Sequence, residues 1–279
     1  MNELSDQVKK WVNEQGYPIE MFVAKKFREL GFRTTQSEYY DDPESGDNRE
    51  IDIVASKQVL IGELLVRIRV CVECKSSKKH PWVVFTSQDT RIAKPAAIVQ
   101  RPASKLGKLF LHSIAHESDA QALSLFRLDK RNGYGLTEAF TSGKDNAYAS
   151  CISVAKCAKS ITDDETKGSY QQGPICAITI PLVLIEGKLF ECHQDDLELE
   201  VSEIARSQLI WRNQTSNIGH SIINIVTKGA LEDFIADVQE FIDFSFRQET
   251  VFKEIEENAL GDHPNRWKSS LITRQSSAD

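Results

Sequence analysis

Two carboxylates and one amine in the first third of the chain have the types and the spacing of a metal-dependent hydrolytic site. Asp52 lies in the short apolar segment REIDIVAS, and Glu73 and Lys75 end the alternating segment LLVRIRVCVECK. Successive strand side chains point to opposite faces, so Glu73 and Lys75 share a face that Asp52 on a neighbouring strand can reach. Carboxylates hold Mg²⁺ and a nearby cation orients or activates water, which is the combination that phosphodiester hydrolysis requires.

Glu20 is a third candidate carboxylate, on a segment with helical periodicity. Ile19, Phe22, Val23 and Phe27 repeat at the spacing of an apolar helix face. At about 100° per residue, Glu20 falls at the border of that face, where a carboxylate can lean over the edge of a sheet.

The same residues have ordinary structural alternatives. Asp52 can cap the turn toward Ser56, and Glu73 with Lys75 can form a solvated ion pair at a strand edge that contributes little. In the catalytic interpretation, burial and a bound cation would depress the pKa of Lys75, although the two carboxylates oppose that shift.

The order and spacing of three segments resemble the PD-(D/E)xK nuclease superfamily, and within it the Mrr-like branch of restriction endonucleases. The matching segments are GYPIEMFVAKKFRELGF, REIDIVAS and VRIRVCVECKSS, within residues 16–78. The resemblance implies a restriction-endonuclease-like α/β sandwich, in which helices flank a central mixed β-sheet. It also implies that Asp52, Glu73 and the backbone carbonyl of Cys74 bind Mg²⁺, with Mn²⁺ as a substitute, that Lys75 assists the attacking water, and that Glu20 supports the metal shell.

The sequence departs from some branches of this superfamily in one respect. The segment 146–160 has no clear glutamine at the place where those branches carry one, so we assign no fourth motif. Asp145 and Tyr148 are the remaining candidates at the start of this segment.

The charge distribution indicates where nucleic acid would bind. The chain has 34 Lys and Arg against 41 Asp and Glu, a net charge of −7, which argues against a passive nucleic-acid coat but not against an enzyme with a local basic surface. The segment 90–110 contains basic residues and no acidic one, so it is a candidate for phosphate contacts, although such residues also coat ordinary surfaces. The candidates in this segment are Arg91, Lys94, Arg101, Lys105 and Lys108, and the next candidates are Arg67 and Arg69 on the Glu73 face of the strand.

Hydropathy and cysteine usage exclude several classes of protein. The longest apolar run, ICAITIPLVLI, is far shorter than the ~20 residues that cross a bilayer, and the charged start MNELSDQVKKWV does not have the pattern of a secretory signal. We therefore expect a cytoplasmic protein without membrane association, whose six cysteines are free thiols. Cys74 lies on the apolar face of its strand and is expected to be a core residue.

The elements that must position these residues follow from periodicity. Two amphipathic helices come first, followed by a two-stranded hairpin and the alternating strand. Further on, ALSLFRL resembles a strand, residues 146–160 a helix, and PICAITIPLVLIEG a buried strand paired with KLFECH. We expect one domain over residues 1–247 with a loop-rich insertion near 81–120, and a partly flexible C-terminal extension over 248–279.

Three functions are compatible with these candidate residues and predicted elements. The first is a Mg²⁺-dependent nuclease acting on nucleic acid, with DNA as the expected substrate. The second is a catalytically weak or inactive protein of the same fold, acting as a nucleic-acid-binding or assembly module in a defence or repair complex. For any of these functions, a homodimer or a partner subunit is compatible with the sequence. The third is a carboxylate-lined protein-interaction domain. Dependence on a divalent metal separates the first function from the other two.

Overall fold

A mixed β-sheet with helices on both faces forms the architecture of this α/β protein. The structure is a computed structural model that describes residues 3–88, 93–127, 131–141, 145–195, 198–213 and 219–261. Eight strands lie in these described ranges, in the order β1-β2-β3-β4-β7-β8-β5-β6. The strands are β1 (Arg33–Asp41), β2 (Asn48–Ile61), β3 (Leu64–Ser87), β4 (Asn132–Glu138), β5 (Ile175–Asp195), β6 (Glu198–Ile204), β7 (Arg206–Asn213) and β8 (Gly219–Thr227).

The helices divide into two layers because the sheet buries apolar side chains on both faces. One core lies between the sheet and α2, α4, α7 and α8, and the other lies beneath α6. The described helices are α1 (Glu3–Glu14), α2 (Tyr17–Glu29), α3 (Lys94–Val99), α4 (Lys105–Ile114), α5 (Ser118–Ala122), α6 (Asn146–Gln172), α7 (Leu231–Phe246) and α8 (Glu249–Gly261).

The two longest strands, β3 and β5, run parallel through the centre of the sheet. Their register pairs Leu65 with Ile175 at one end and Phe85 with Cys192 at the other, with an irregularity between Ser77 and Trp82. β3 also pairs antiparallel with β2 along its first half and with β4 along its second half. The β3–β5 pairing therefore closes a ring of neighbouring strands made of β3, β4, β7, β8 and β5.

The continuity of β3 and β5 differs from the sequence prediction. PICAITIPLVLIEG and KLFECH belong to one continuous strand, β5, rather than to two paired strands. Gly187, between them, does not make a turn; it allows the backbones of β5 and β3 to approach closely. A Cβ at Gly187 would lie 2.4 Å from the backbone oxygen of Ser77 on β3, a distance that only glycine avoids. PWVVF likewise continues β3, and Trp82 is fully buried in the α6 core, so the first part of the expected insertion is strand.

The remaining differences concern local structure and the domain boundary. ALSLFRL contains the 3₁₀ turn Ser124–Phe126 rather than a strand, and α6 is longer than expected. Phe252 of α8 stacks on Phe110 of α4 with ring centroids 4.5 Å apart and is fully buried, so the packed core extends past the boundary expected at residue 247. Residues 262–279 of the expected extension lie outside the described residues. No helix in the described part of the chain has the length and apolar character needed to cross a membrane.

Candidate active site

β3 presents a row of polar side chains to α6, as the alternation in its sequence predicts. Val66, Ile68, Val70, Val72 and Cys74 lie in the core on the α2 side of the sheet. Cys71 lies in the core beneath α6, and Glu73 accepts a hydrogen bond from the side chain of Ser153 on α6. Glu73 and Lys75 therefore share the face that was expected for them.

Asp52 is positioned at the point where β2 separates from β3. The β2–β3 ladder runs from Ile61 and Leu64 to Ile53 and Val72 and stops before Asp52. The Asp52 carboxylate then accepts a hydrogen bond from the backbone N–H of Cys74, with Oδ2 and N 2.6 Å apart. On the other side, Ser37 of β1 has φ 53° and the β1–β2 pairing omits the Ser37–Asp52 pair. This local break leaves Asp52 free to turn toward β3.

Glu73 is fixed by two donors, one from its own strand and one from α6. The Lys75 ammonium Nζ donates to Glu73 Oε1 at 2.6 Å, and the Ser153 hydroxyl donates to Glu73 Oε2 at 2.9 Å. Tyr40 in turn donates its hydroxyl to the Ser153 carbonyl oxygen at 3.2 Å. Burial raises the pKa of Tyr40 to about 12, so its hydroxyl stays protonated as a donor. Sequence reasoning missed Ser153 and Tyr40, which link the site to α6 and β1.

The carboxylates at this point perturb one another. Burial, and then repulsion from Glu73, raise the pKa of Asp52 to about 7, although the Cys74 N–H and Lys75 act in the opposite direction. Burial, and then repulsion from Glu50, raise the pKa of Glu20, which also interacts with Lys75 and Glu73. Glu20 therefore lies within electrostatic reach of the pair.

In the metal-free protein the carboxylates determine the direction in which the pKa of Lys75 shifts. Burial lowers the pKa of this ammonium group, but attraction and a hydrogen bond from Glu73, with help from Asp52, raise it by more. The net pKa of Lys75 lies above its ordinary value. The predicted depression of this pKa applies to the site with a bound cation and stays a prediction; without the cation the two carboxylates outweigh burial.

Cys74 is a core residue whose backbone belongs to the site. Its thiol is buried on the α2 side of the sheet, and burial raises its pKa well above the ordinary value. A thiol of this kind is not a nucleophile. The Cys74 backbone N–H donates a hydrogen bond to the Asp52 carboxylate, which holds β2 and β3 together at this point.

The donor set contains a pair of carboxylates and no larger cluster. Among the described residues, no group of three or more His, Cys, Asp and Glu side chains is arranged to hold a metal ion. Glu20 is thus not brought into a three-ligand group with Asp52 and Glu73. Mg²⁺ in proteins is commonly held by one or two carboxylates and retains several waters, so the pair is compatible with this ion.

Arg67 and Arg69 lie on the same face of β3 as Glu73, nearer the beginning of the strand. Arg67 and Arg69 both form ion pairs with Glu165 of α6. Glu165 is buried, and the two arginine side chains are 19% and 18% exposed. They are part of the sheet–helix interface as well as candidates for anion contact.

The basic segment does not form one surface beside the carboxylates. Arg101 is only 2% exposed, lies over the ring of Phe126 and donates to two backbone carbonyls, so its assignment as a phosphate contact is corrected. Lys94, Lys105 and Lys108 are exposed, and the last two lie on α4, which packs against the core opposite α6. Arg91 lies outside the described residues.

The two candidates near the start of α6 have structural roles. Asp145 is the N-cap of α6 and accepts hydrogen bonds from the backbone N–H groups of Ala147 and Tyr148. Tyr148 is half-exposed and its ring lies 5.4 Å from that of Trp211. Neither contacts Glu73, whose partner on α6 is Ser153 instead.

Fold and site together define an α/β protein whose mixed sheet gathers two carboxylates and an amine at one point of β3. Comparisons with protein-family models, with curated proteins and with solved structures produced no match to this chain. What the arrangement does is therefore argued from its own chemistry.

Proposed function

We propose that the protein is a Mg²⁺-dependent nuclease that hydrolyses phosphodiester bonds of nucleic acid, with DNA as the expected substrate. The observation that carries the proposal is the convergence of Asp52, held on the Cys74 N–H, with the Glu73–Lys75 pair. Two carboxylates and an amine from different strands at one point are the set that metal-assisted phosphodiester hydrolysis uses.

Asp52 and Glu73 would hold the metal ion, with the backbone carbonyl of Cys74 as a further ligand. The raised pKa of Asp52 supports this role, since repulsion between two partly buried carboxylates is relieved by a cation. A bound Mg²⁺ would supply Lewis-acid polarisation of a phosphoryl oxygen and a more acidic water. Glu20 would take an outer position at this site.

Lys75 would orient the attacking water and stabilise negative charge that develops on the phosphate. In the metal-free protein Glu73 raises the pKa of Lys75 despite burial, which favours an ammonium that stabilises charge over an amine that abstracts a proton. Its hydrogen bond to Glu73 fixes the ammonium beside the carboxylate pair.

The test is incubation of the purified protein with plasmid, linear duplex, single-stranded DNA and RNA, each with Mg²⁺, Mn²⁺ or EDTA. We expect cleavage with a divalent ion, none with EDTA, and none by Lys75→Met. Lys78→Met is the matched control, because Lys78 belongs to the same strand but its side chain is 65% exposed and binds Glu186. Equal cleavage by Lys75→Met and wild type would remove the proposal.

A nucleic-acid-binding or assembly module is the second candidate, and one observation favours it. Both oxygens of the Glu73 carboxylate already accept hydrogen bonds, from Lys75 and from Ser153. A protein that has lost efficient catalysis can retain such a closed arrangement. Binding of nucleic acid in EDTA, without cleavage of any substrate in Mg²⁺ or Mn²⁺, would support the module over the enzyme.

A further inference from the structure

A polar cavity lies between β1, β2, β3 and the C-terminal half of α6, apart from the carboxylate pair. Its volume is about 460 Å³, and the residues that define it here include Arg33, Tyr39, Gln58, Arg67, Arg69 and Glu165. We call it the arginine cavity. A volume in this range is typical of a small-molecule site.

The floor of the arginine cavity has more positive than negative charge. Arg67 and Arg69 are neighbours on one face of β3, and both contact the same oxygen, Oε1, of Glu165. Two guanidinium groups therefore share one carboxylate. Burial, and to a smaller extent repulsion from Arg67, lower the pKa of Arg69 against the attraction of Glu165.

The other charges around the cavity do not cancel this excess. Arg33 and Glu38 contribute one charge of each sign, and Asp164 is already paired with Lys167 at 3.4 Å. The charged lining residues alone are formally balanced, three arginines against three carboxylates, and with Lys167 included the net charge is +1, which an anion would neutralise.

The guanidinium groups also retain hydrogen-bonding capacity. Arg67 donates through Nε to Gln58 at 2.8 Å and through Nη1 to Glu165, and Arg69 pairs with Glu165 through Nη2. Each guanidinium carries five N–H donors in a fork that matches a phosphate. The bonds described here therefore use only part of the donor capacity of Arg67 and Arg69.

We propose that the arginine cavity binds the phosphate group of a nucleotide, either a free mononucleotide or the phosphorylated end of a nucleic-acid strand. The two arginines would hold the phosphate, and Tyr39 at the rim, with 62% of its surface exposed, offers a ring for stacking on the base. The choice of a nucleotide over other phosphate esters rests on the proposed nuclease function.

This phosphate is not the one that would be cleaved. Arg69 and Glu73 are four residues apart on β3, which is about 13 Å along a strand. Between them, Cys71 is fully buried against α6, where it contacts Cys157. The arginine cavity is therefore a separate site, one that would anchor a strand end or sense a mononucleotide.

The experiment measures binding by calorimetry in EDTA, so that it does not depend on cleavage. The probes are AMP against adenosine, a 5′-phosphorylated oligonucleotide against the same oligonucleotide without the phosphate, and inorganic phosphate. We expect the phosphorylated member of at least one pair to bind more tightly. Arg69→Gln should weaken that binding about tenfold or more, the range for a lost charge-assisted hydrogen bond.

Glu165→Gln distinguishes a ligand site from a structural ion cluster. Removing this carboxylate frees two guanidinium groups, so phosphate binding should tighten by a fewfold or more, a gain that a structural role does not predict. Arg206→Gln is the matched control, because Arg206 of β7 forms an ion pair with Asp237 of α7, away from the arginine cavity. This variant should leave phosphate binding unchanged.

The outcomes separate the possible ligands and the two proposals. Preference for AMP alone identifies a mononucleotide site, and preference for the phosphorylated oligonucleotide alone identifies recognition of a strand end. Equal binding with and without the phosphate, or unchanged binding in Arg69→Gln, would overturn the proposal. Because these measurements need no cleavage, the cavity proposal can fail while the nuclease proposal stands, and the reverse also holds.

Discussion

Replacing Asp52 by Asn should make the metal-free protein more stable and remove its response to divalent ions. The Asn side chain keeps an oxygen that accepts the Cys74 N–H but carries no charge. The pKa of Asp52 rises from 3.8 to about 7 in the folded protein, through burial and repulsion from Glu73. At about 1.4 kcal/mol per pKa unit, the Asp52 carboxylate costs up to about 4 kcal/mol of folding free energy when fully ionised.

The pH dependence of this effect has a defined sign. Because its folded-state pKa is raised, Asp52 binds its proton more tightly in the folded protein than in the unfolded chain. Its cost is absent below about pH 4, grows as the pH rises toward 7, and is complete above that value. The melting temperatures of wild type and Asp52→Asn should therefore agree near pH 4. At pH 8 the melting temperature of Asp52→Asn should exceed that of wild type by up to about 8 °C, at about 2 °C per kcal/mol for a chain of this size.

The assay is thermal unfolding in EDTA at several pH values, repeated with Mn²⁺. At an ion concentration of about 100 Kd, wild type should gain about 2.7 kcal/mol and Asp52→Asn nothing. Asp41→Asn, at an exposed position on the neighbouring strand, is the control and should follow wild type. A variant that is less stable than wild type at pH 8, or that is stabilised equally by Mn²⁺, would refute the reasoning about this site.

Three further predictions concern the Lys75 ammonium, the contact of Gly187 with β3 and the packing of α8. Lys75→Met should abolish turnover in single-turnover assays while DNA affinity in EDTA stays within about twofold, since the ammonium acts mainly on developing charge; a matching loss of affinity would contradict this. Gly187→Ala should cost about 2 kcal/mol or more in denaturant unfolding, because its Cβ meets backbone on β3, whereas Gly229→Ala, with open space, should not. Phe252→Ala should cost about 3 to 5 kcal/mol and the exposed Lys253→Ala little; equal effects would place α8 outside the core.

The candidate site could be read from the sequence to the extent that it depends on the pleat of one strand. The alternation that ends at Glu73 and Lys75 fixes which side chains share a face, and the structure confirms it. The position of Ser153 could not be read in this way, because its contact with Glu73 joins residues 80 positions apart. That contact depends on how α6 lies across the sheet, which local periodicity does not contain.

Fold errors have a similar origin in tertiary contacts that local patterns do not record. Gly187 has the residue type of a turn, but its role is set by the Ser77 carbonyl on another strand. Arg101 has the residue type of a surface cation, but two backbone carbonyls and the Phe126 ring take the place of solvent. In both cases the residue type is ambiguous until the partner is known.

The parallel pairing of β3 with β5 has a consequence for how the chain folds. Glu73 is paired with Val183, more than one hundred residues later in the chain, and no shorter-range partner on that side of β3 replaces it in the described structure. During synthesis, the first two helices and the β1–β3 strands emerge while one edge of β3 still lacks its partner strand. Non-local pairing of this kind is slow to form and leaves strand edges open to association. The β3–β5 pairing is therefore expected to form late in folding, after the β1–β3 strands have paired with one another.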